Sequence, residues 1–215
     1  VRQKGYSVGI YDTNVEGWDA SIIDKYNPDL IVIMVYGHQP SASTQTMPAA
    51  IKIIDDLKES YKDIPVAIGG SHPSALPEKT MGEVNADFVI QGEGVYTIEG
   101  LIENIKGKLL AKDIPGLWYR ENGGIRFTTP ASIVKDLDGE LSSYAWDLLS
   151  SLDNYRAHNM HCFEDFEKSK RDGFSEVRSP YVALYTSLGC PFDCSFCMIN
   201  DLFGVREIRY WSIDT

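Results

Sequence analysis

Between Ser7 and about Lys106, short apolar runs alternate with amphipathic stretches of helical length. Ser7-Val-Gly-Ile-Tyr11 reads as a strand ending at Asp12. Asp29-Leu-Ile-Val-Ile-Met-Val-Tyr36 is a continuous apolar run, the mark of a strand covered on both faces. Pro65-Val-Ala-Ile-Gly-Gly70 and Asp87-Phe-Val-Ile90 supply two more. Helices are expected near 18–26, 44–61, 76–84 and 95–106. In the second, Ile51, Ile54, Leu57 and Tyr61 recur at three- and four-residue spacing and form one apolar stripe. Strands alternating with helices at this interval predict βαβ units, hence an α/β fold with a doubly wound parallel sheet.

The pattern changes after residue 106. Leu117-Trp-Tyr-Arg120 and Ile125-Arg-Phe127 flank Glu-Asn-Gly-Gly, which predicts a hairpin with glycine at its turn. Pro130, the acidic Asp136-Leu-Asp-Gly-Glu140 and a polar stretch from Glu164 to Arg178 follow, the composition of a linker. Trp118 and Trp146 read as anchors of small cores. Apolar character returns at Tyr181-Val-Ala-Leu-Tyr-Thr186, a strand that runs into a cysteine-bearing loop. The chain thus divides into 1–110, 111–180 and 181–215.

Each strand of the first part ends in small or polar residues. Asp12 to Gly17 follow the first, Gly37 and His38 follow Tyr36, Gly69-Gly70-Ser71-His72 close the third, and Gly92-Glu93-Gly94 follow the fourth. Open parallel sheets bind ligands beyond the carboxyl ends of their strands. Glycine there admits close approach of a ligand, and helix N-termini offer free N–H groups to phosphate. The same residue types also fill βα turns in any such fold, and no turn here has the G-x-G-x-x-G dinucleotide spacing.

Composition narrows the classes. The 215 residues carry 20 Lys+Arg against 31 Asp+Glu, a formal charge of −11, which disfavours a nucleic-acid-coating surface. With 43% hydrophobic and 24% charged residues, the chain is neither disordered nor collagen-like. No apolar run approaches the ~20 residues of a membrane span, and the first residues lack a signal-peptide pattern. A cytoplasmic location is expected. The chain opens without Met and ends soon after its cysteines, so both ends read as cut.

Cys190-Pro-Phe-Asp-Cys194-Ser-Phe-Cys197 is C-x-x-x-C-x-x-C. Three thiolates within eight residues can serve one inorganic centre. A disulfide framework needs pairs and an oxidising compartment. Structural zinc needs four ligands, and His158, His161 and Cys162 stand in no convincing register for the fourth. His158-Asn-Met-His161-Cys162 reads as packing or surface. Three cysteines on a four-iron–four-sulfur cluster leave one iron open.

With its aromatic residue Phe196 before the last cysteine, and after Thr186-Ser-Leu-Gly-Cys190, this motif closely resembles the radical S-adenosylmethionine superfamily. The upstream half is similar to the cobalamin-binding domain that precedes the radical domain in one large branch of it. Gly5-Tyr-Ser-Val-Gly-Ile-Tyr-Asp12, Gly69-Gly-Ser-His-Pro73, Gly92-Glu-Gly94 and Ile114-Pro-Gly-Leu-Trp118 carry that likeness.

The resemblance implies a Rossmann-like, flavodoxin-like cobalamin domain, then a linker with a hairpin, then the first strand and cluster loop of a radical (β/α) barrel. Its first strand would precede Val1, and most of the barrel would follow Thr215. It implies Cys190, Cys194 and Cys197 as ligands of a 4Fe-4S cluster whose open iron chelates S-adenosylmethionine, with Phe196 lining the adenine pocket. Asp12, Gly17, Tyr36, Gly37, His38, Gly69, Gly70, Gly92, Glu93 and Gly94 become the candidate cobalamin contacts.

The implied activity is methyl transfer to an unactivated carbon, through a 5′-deoxyadenosyl radical and methylcobalamin. A small-molecule or peptide substrate and a flavodoxin or ferredoxin as electron donor complete the expectation. Where such domains supply an axial ligand they carry D-x-H-x-x-G; here Asp12-Thr-Asn-Val-Glu-Gly17 has Asn14 in the histidine's place, so cobalt without a protein histidine is expected. Two other readings stay open: a radical enzyme whose Rossmann-like domain binds no cobalamin, and a non-catalytic corrinoid carrier.

Overall fold

The computed structural model describes residues 1–36, 40–141, 144–155 and 184–213. The chain forms two compact units: 20–142 with 187–215, and 1–19 with 143–186.

The first unit is built on a five-stranded sheet in the order β1 (Ile31–Val35), β2 (Val66–Gly70), β3 (Phe88–Ile90), β4 (Leu117–Glu121), β5 (Gly124–Phe127). The first three strands run parallel, with Ile33 opposite Ile68 and Ile68 opposite Val89. The apolar runs fall where expected because a strand covered on both faces needs no polar alternation; all five residues of central β2 are buried. The hairpin β4–β5 does not stand apart in a linker. It adds two antiparallel strands to the sheet, with Val89 opposite Trp118 and Trp118 opposite Phe127. Asn122 and Gly123 both have positive φ, 52° and 78°, the type I′ turn that matches the twist of a two-residue hairpin.

Helix α3 (Pro40–Ser60) begins earlier than its apolar stripe indicates, and proline suits a first turn, where its missing N–H leaves no bond unmade. Met47, Ala50, Ile54 and Leu57 are buried, and Tyr61 closes the stripe with a hydrogen bond from its hydroxyl to Ala20 O at 3.1 Å. Helices α4 (Ser71–Ala75), α5 (Pro77–Glu83) and α6 (Val95–Ile105) follow β2 and β3. One core cluster joins Ala67, Ile90, Leu101, Ile114, Leu117 and Tyr119.

The two glycines inside these helices have opposite roles. At Gly82 in α5 a Cβ would meet open space, so Gly82→Ala is expected to raise stability by about 0.5–1 kcal/mol through helix propensity. At Gly100 in α6 a Cβ would lie 2.7 Å from Cγ2 of fully buried Ile114, and the overlap outweighs the propensity gain. Urea unfolding of Gly100→Ala is therefore expected to show a loss of about 1–2 kcal/mol. A gain would mean that Ile114 moves aside freely.

The same unit contains α7 (Leu137–Glu140) and a two-stranded ribbon, β6 (Ser187–Gly189) with β7 (Ile208–Tyr210), bridged by α8 (Ile199–Phe203), which packs on α4. The strand expected over 181–186 begins instead at Ser187. Its partner β7 offers only three residues, so the ladder extends no further back; Leu184 and Tyr185 are exposed, and 181–183 lie outside the described residues.

In the second unit, Ser7–Tyr11 is not a strand. Among the described residues no strand pairs with it, and a strand needs a ladder to form. Helix α1 (Thr13–Glu16) follows, and α2 (Ser21–Tyr26), in the sheet-bearing unit, is shorter than the expected 18–26. Arg2 pairs with Asp147 at 2.9 Å, Tyr144 stacks on Trp146 with ring centres 5.1 Å apart, and the Tyr144 hydroxyl accepts from Tyr185 N at 2.9 Å. Trp118, in the other unit, stacks on Phe127 at 4.7 Å and donates to Gln91.

Candidate functional site

The carboxyl ends of β1, β2 and β3 are stitched together by buried hydroxyls. Ser43, fully buried on α3, donates to Val35 O at 2.5 Å and accepts from His72 N at 2.9 Å. Thr44 Oγ1 lies 3.0 Å from His72 Nδ1. Ser74 Oγ accepts from Gly92 N at 3.0 Å, and Thr97 Oγ1 donates to Pro115 O at 2.7 Å. Burial, and then the charge of Lys79, holds His72 below the ordinary histidine range, so its neutral form persists.

The glycines of this rim have local packing reasons. Gly70 has φ 124°, and a Cβ there would stand 2.3 Å from Val35 O. At Gly69 a Cβ would meet Ile90 Cβ and Met34 Sδ at 3.3 Å. At Gly94, which caps α6, it would meet Ile90 Cγ2 at 3.0 Å. Gly92 lies near Leu202 O of α8. Tyr36 is about half exposed. Gly37 and His38 lie outside the described residues, as do His158, His161 and Cys162. Asp12 and Gly17 belong to the other unit: Asp12 caps α1 by accepting from Asn14 N at 3.0 Å, and Tyr11 donates to Gly17 O at 2.8 Å.

Glu93 is buried against Arg209 of β7, their side chains 9% and 6% exposed. Its Oε2 also accepts from Val134 N at 2.8 Å and from Arg209 Nη1 at 3.2 Å. Nearby, Tyr96 donates to Glu140 at 2.7 Å, and that bond pushes its phenol up to about 12.

Cys190, Cys194 and Cys197 sit on the loop after β6 as free thiols, closed by a hydrogen bond from Cys197 N to Cys194 O at 3.0 Å. Asp193 inside the motif anchors the loop: it accepts from Asn200 Nδ2 at 3.0 Å and pairs with Arg206. Phe196 is 91% exposed. The donor set, three free thiols on one loop with no further thiol among the described residues, fits an iron–sulfur cluster with one open iron. As they stand, no group of three His, Cys, Asp or Glu among the described residues is drawn together as a metal site. Sequence reasoning missed Ser43, Asp193, Arg206 and Arg209. The one available signal was Arg209 itself, a lone cation between Ile208 and Tyr210.

Residues 1–102 match the model of the B12 binding domain. The chain is 34% identical over 189 residues to an uncharacterized methyltransferase of Pyrococcus horikoshii, covering 87% of this chain and 35% of that one. Two solved structures share its fold. The cobalamin-dependent S-adenosylmethionine radical enzyme OxsB, with aqua-cobalamin and S-adenosylmethionine bound, superposes with a TM-score of 0.63 at 20% identity over 90% of this chain and 23% of that one. The radical S-adenosylmethionine methyltransferase TsrM of Kitasatospora setae, with cobalamin and a [4Fe-4S] cluster bound, does so with a TM-score of 0.64 at 16% identity over 99% and 39%. The chain spans about a third of the length of the curated relatives it matches. The chain thus carries a match to the B12 binding domain over residues 1–102 and, downstream of it, a loop with three free cysteines, Cys190, Cys194 and Cys197.

Proposed function

We propose that this chain serves a cobalamin-dependent radical S-adenosylmethionine enzyme, a methyltransferase acting on an unactivated carbon. The observation that carries the reading is the physical union of two features: the free-thiol loop of Cys190, Cys194 and Cys197 grows from a ribbon whose β7 is ion-paired to the turn after β3 of a B12-binding sheet.

Cys190, Cys194 and Cys197 would hold the cluster, leaving one iron to chelate S-adenosylmethionine, and Phe196 would flank its adenine through the backbone. Tyr36, Gly69, Gly70, Gly92 and Gly94 would contact the corrinoid, with Gly37 and His38, outside the described residues, as further candidates, while Glu93 positions rather than binds; Asp12 and Gly17 lie in the other unit. Asn14 in place of histidine leaves cobalt without an imidazole from this chain. When bound, the cluster and S-adenosylmethionine supply a radical and the corrinoid a transferable methyl group; the protein orients them and excludes water. A flavodoxin or ferredoxin would deliver electrons, and a cytoplasmic location suits both the free thiols and the lack, among the described residues, of a helix long and apolar enough to cross a membrane.

Anaerobic reconstitution of the full-length protein with iron, sulfide and hydroxocobalamin tests this. The expected product is a brown protein absorbing near ~400 nm that retains corrinoid through gel filtration. Replacing all three cysteines by alanine removes the iron band and spares the corrinoid. A protein that retains no corrinoid overturns the reading.

A further inference from the structure

We propose that the Glu93–Arg209 pair is a positioning lock that fixes the cysteine-bearing ribbon on the turn following β3, and so sets the separation between cluster and corrinoid. The proposal rests on the function proposed above, since it presumes both groups.

The ribbon cannot orient itself. β6 and β7 are three residues each, and a two-stranded ribbon of that length is not stable alone. Arg209 is the one buried residue of β7. It stands opposite Leu188, two residues before Cys190, so a displacement of β7 is passed directly to the strand that leads into the cysteine loop. Its guanidinium grips both oxygens of Glu93 and also donates to Val134 O, while Glu93 accepts from Val134 N.

Three separate segments therefore meet at one buried fork: the turn after β3, the stretch before α7, and β7. Flanking bonds fasten the same strap, from Trp211 Nε1 to Leu141 O at 2.8 Å and from Ser212 N to Asp138 Oδ1 at 2.9 Å. A forked guanidinium–carboxylate contact accepts one geometry, whereas apolar packing there would tolerate sliding. Placing an expensive ion pair at the junction fits a need for register more than for stability.

The test uses the full-length enzyme loaded with both groups, the cobalt reduced to Co(II) and the cluster to its paramagnetic form. Pulsed electron paramagnetic resonance then reads the distance distribution between the two spins. The variant is Glu93→Gln with Arg209→Met, which keeps an acceptor for Val134 N–H and leaves no unpaired charge. Iron and corrinoid contents equal to the parent's are expected, with a distribution that is shifted and broadened. Arg209→Lys, which keeps the charge but not the fork, should fall between parent and double variant.

A parental distribution in the double variant overturns the lock. If the double variant does not fold, Arg209→Lys decides, and its giving the parental distribution overturns the lock. If the parent retains no corrinoid, the proposed function fails instead, and hydrogen exchange over 187–210 decides the lock alone. Faster exchange in the variant than in the parent upholds it, and equal exchange overturns it.

Discussion

Gly70→Ala is expected to lower the free energy of unfolding by about 3–5 kcal/mol, the sum of backbone strain and forced overlap. Gly70 ends β2 with φ 124° and ψ −171°, a region that only glycine occupies without strain of about 1–3 kcal/mol. The added methyl would also stand 2.3 Å from Val35 O and 2.8 Å from Val35 C. Both atoms are backbone of the neighbouring strand, and Ser43 donates to the same carbonyl. That oxygen cannot rotate away as a side-chain tip could, so β1 and β2 must part where Val35 pairs with Gly70. Urea titration followed by far-ultraviolet circular dichroism checks this. A loss under about 1 kcal/mol would show that the strand ends separate without cost, against the close packing seen here.

Arg209→Ala is expected to cost about 3–5 kcal/mol, because it strands a buried carboxylate whose partner has gone. Glu93 keeps the Val134 N–H, one neutral donor in place of a charged fork. Replacing both members by neutral residues, Glu93→Gln with Arg209→Met, should recover much of that loss, since the Val134 N–H keeps an acceptor and no charge remains to desolvate. The parent, Glu93→Gln, Arg209→Met and the double variant, unfolded in urea under one buffer, give the coupling directly. If the double variant were as unstable as Arg209→Ala, the pair would be a net source of stability, not of register.

Much of the fold was legible along the chain, for reasons visible in particular residues. The runs at 31–35, 66–70 and 88–90 are strands because a continuous apolar stretch of that length with glycine at or just past its end has few other ways to be covered. The stripe of Ile54 and Leu57 is buried as its spacing demands. Asn122-Gly123 forms the turn its chemistry dictates. The three cysteines needed only their spacing to be read as one donor set.

What stayed hidden depends on partners far away in sequence. Ser7–Tyr11 has the composition of a strand, but a strand is defined by its neighbour, and none among the described residues pairs with it. The ribbon strand starts at Ser187 because β7 is short, a fact about residues 208–210. Glu93 reads as a residue of a ligand-binding turn, and that Arg209, 116 positions later, neutralises its carboxylate is visible only in the fold. The glycines at 69 and 70 read as room for a ligand, and only the tertiary structure shows that an added Cβ would also meet Met34, Ile90 and Val35.

By itself the sequence determined the parallel strands and main helices of the sheet, the hairpin turn and the grouping of three thiols on one loop, because periodicity, turn chemistry and residue spacing act over a few residues. The tertiary structure alone decided which extended segment finds a ladder, why glycine is required at 70, and what fastens the cysteine loop to the sheet. Those depend on atoms brought within a few ångströms from segments separated along the chain.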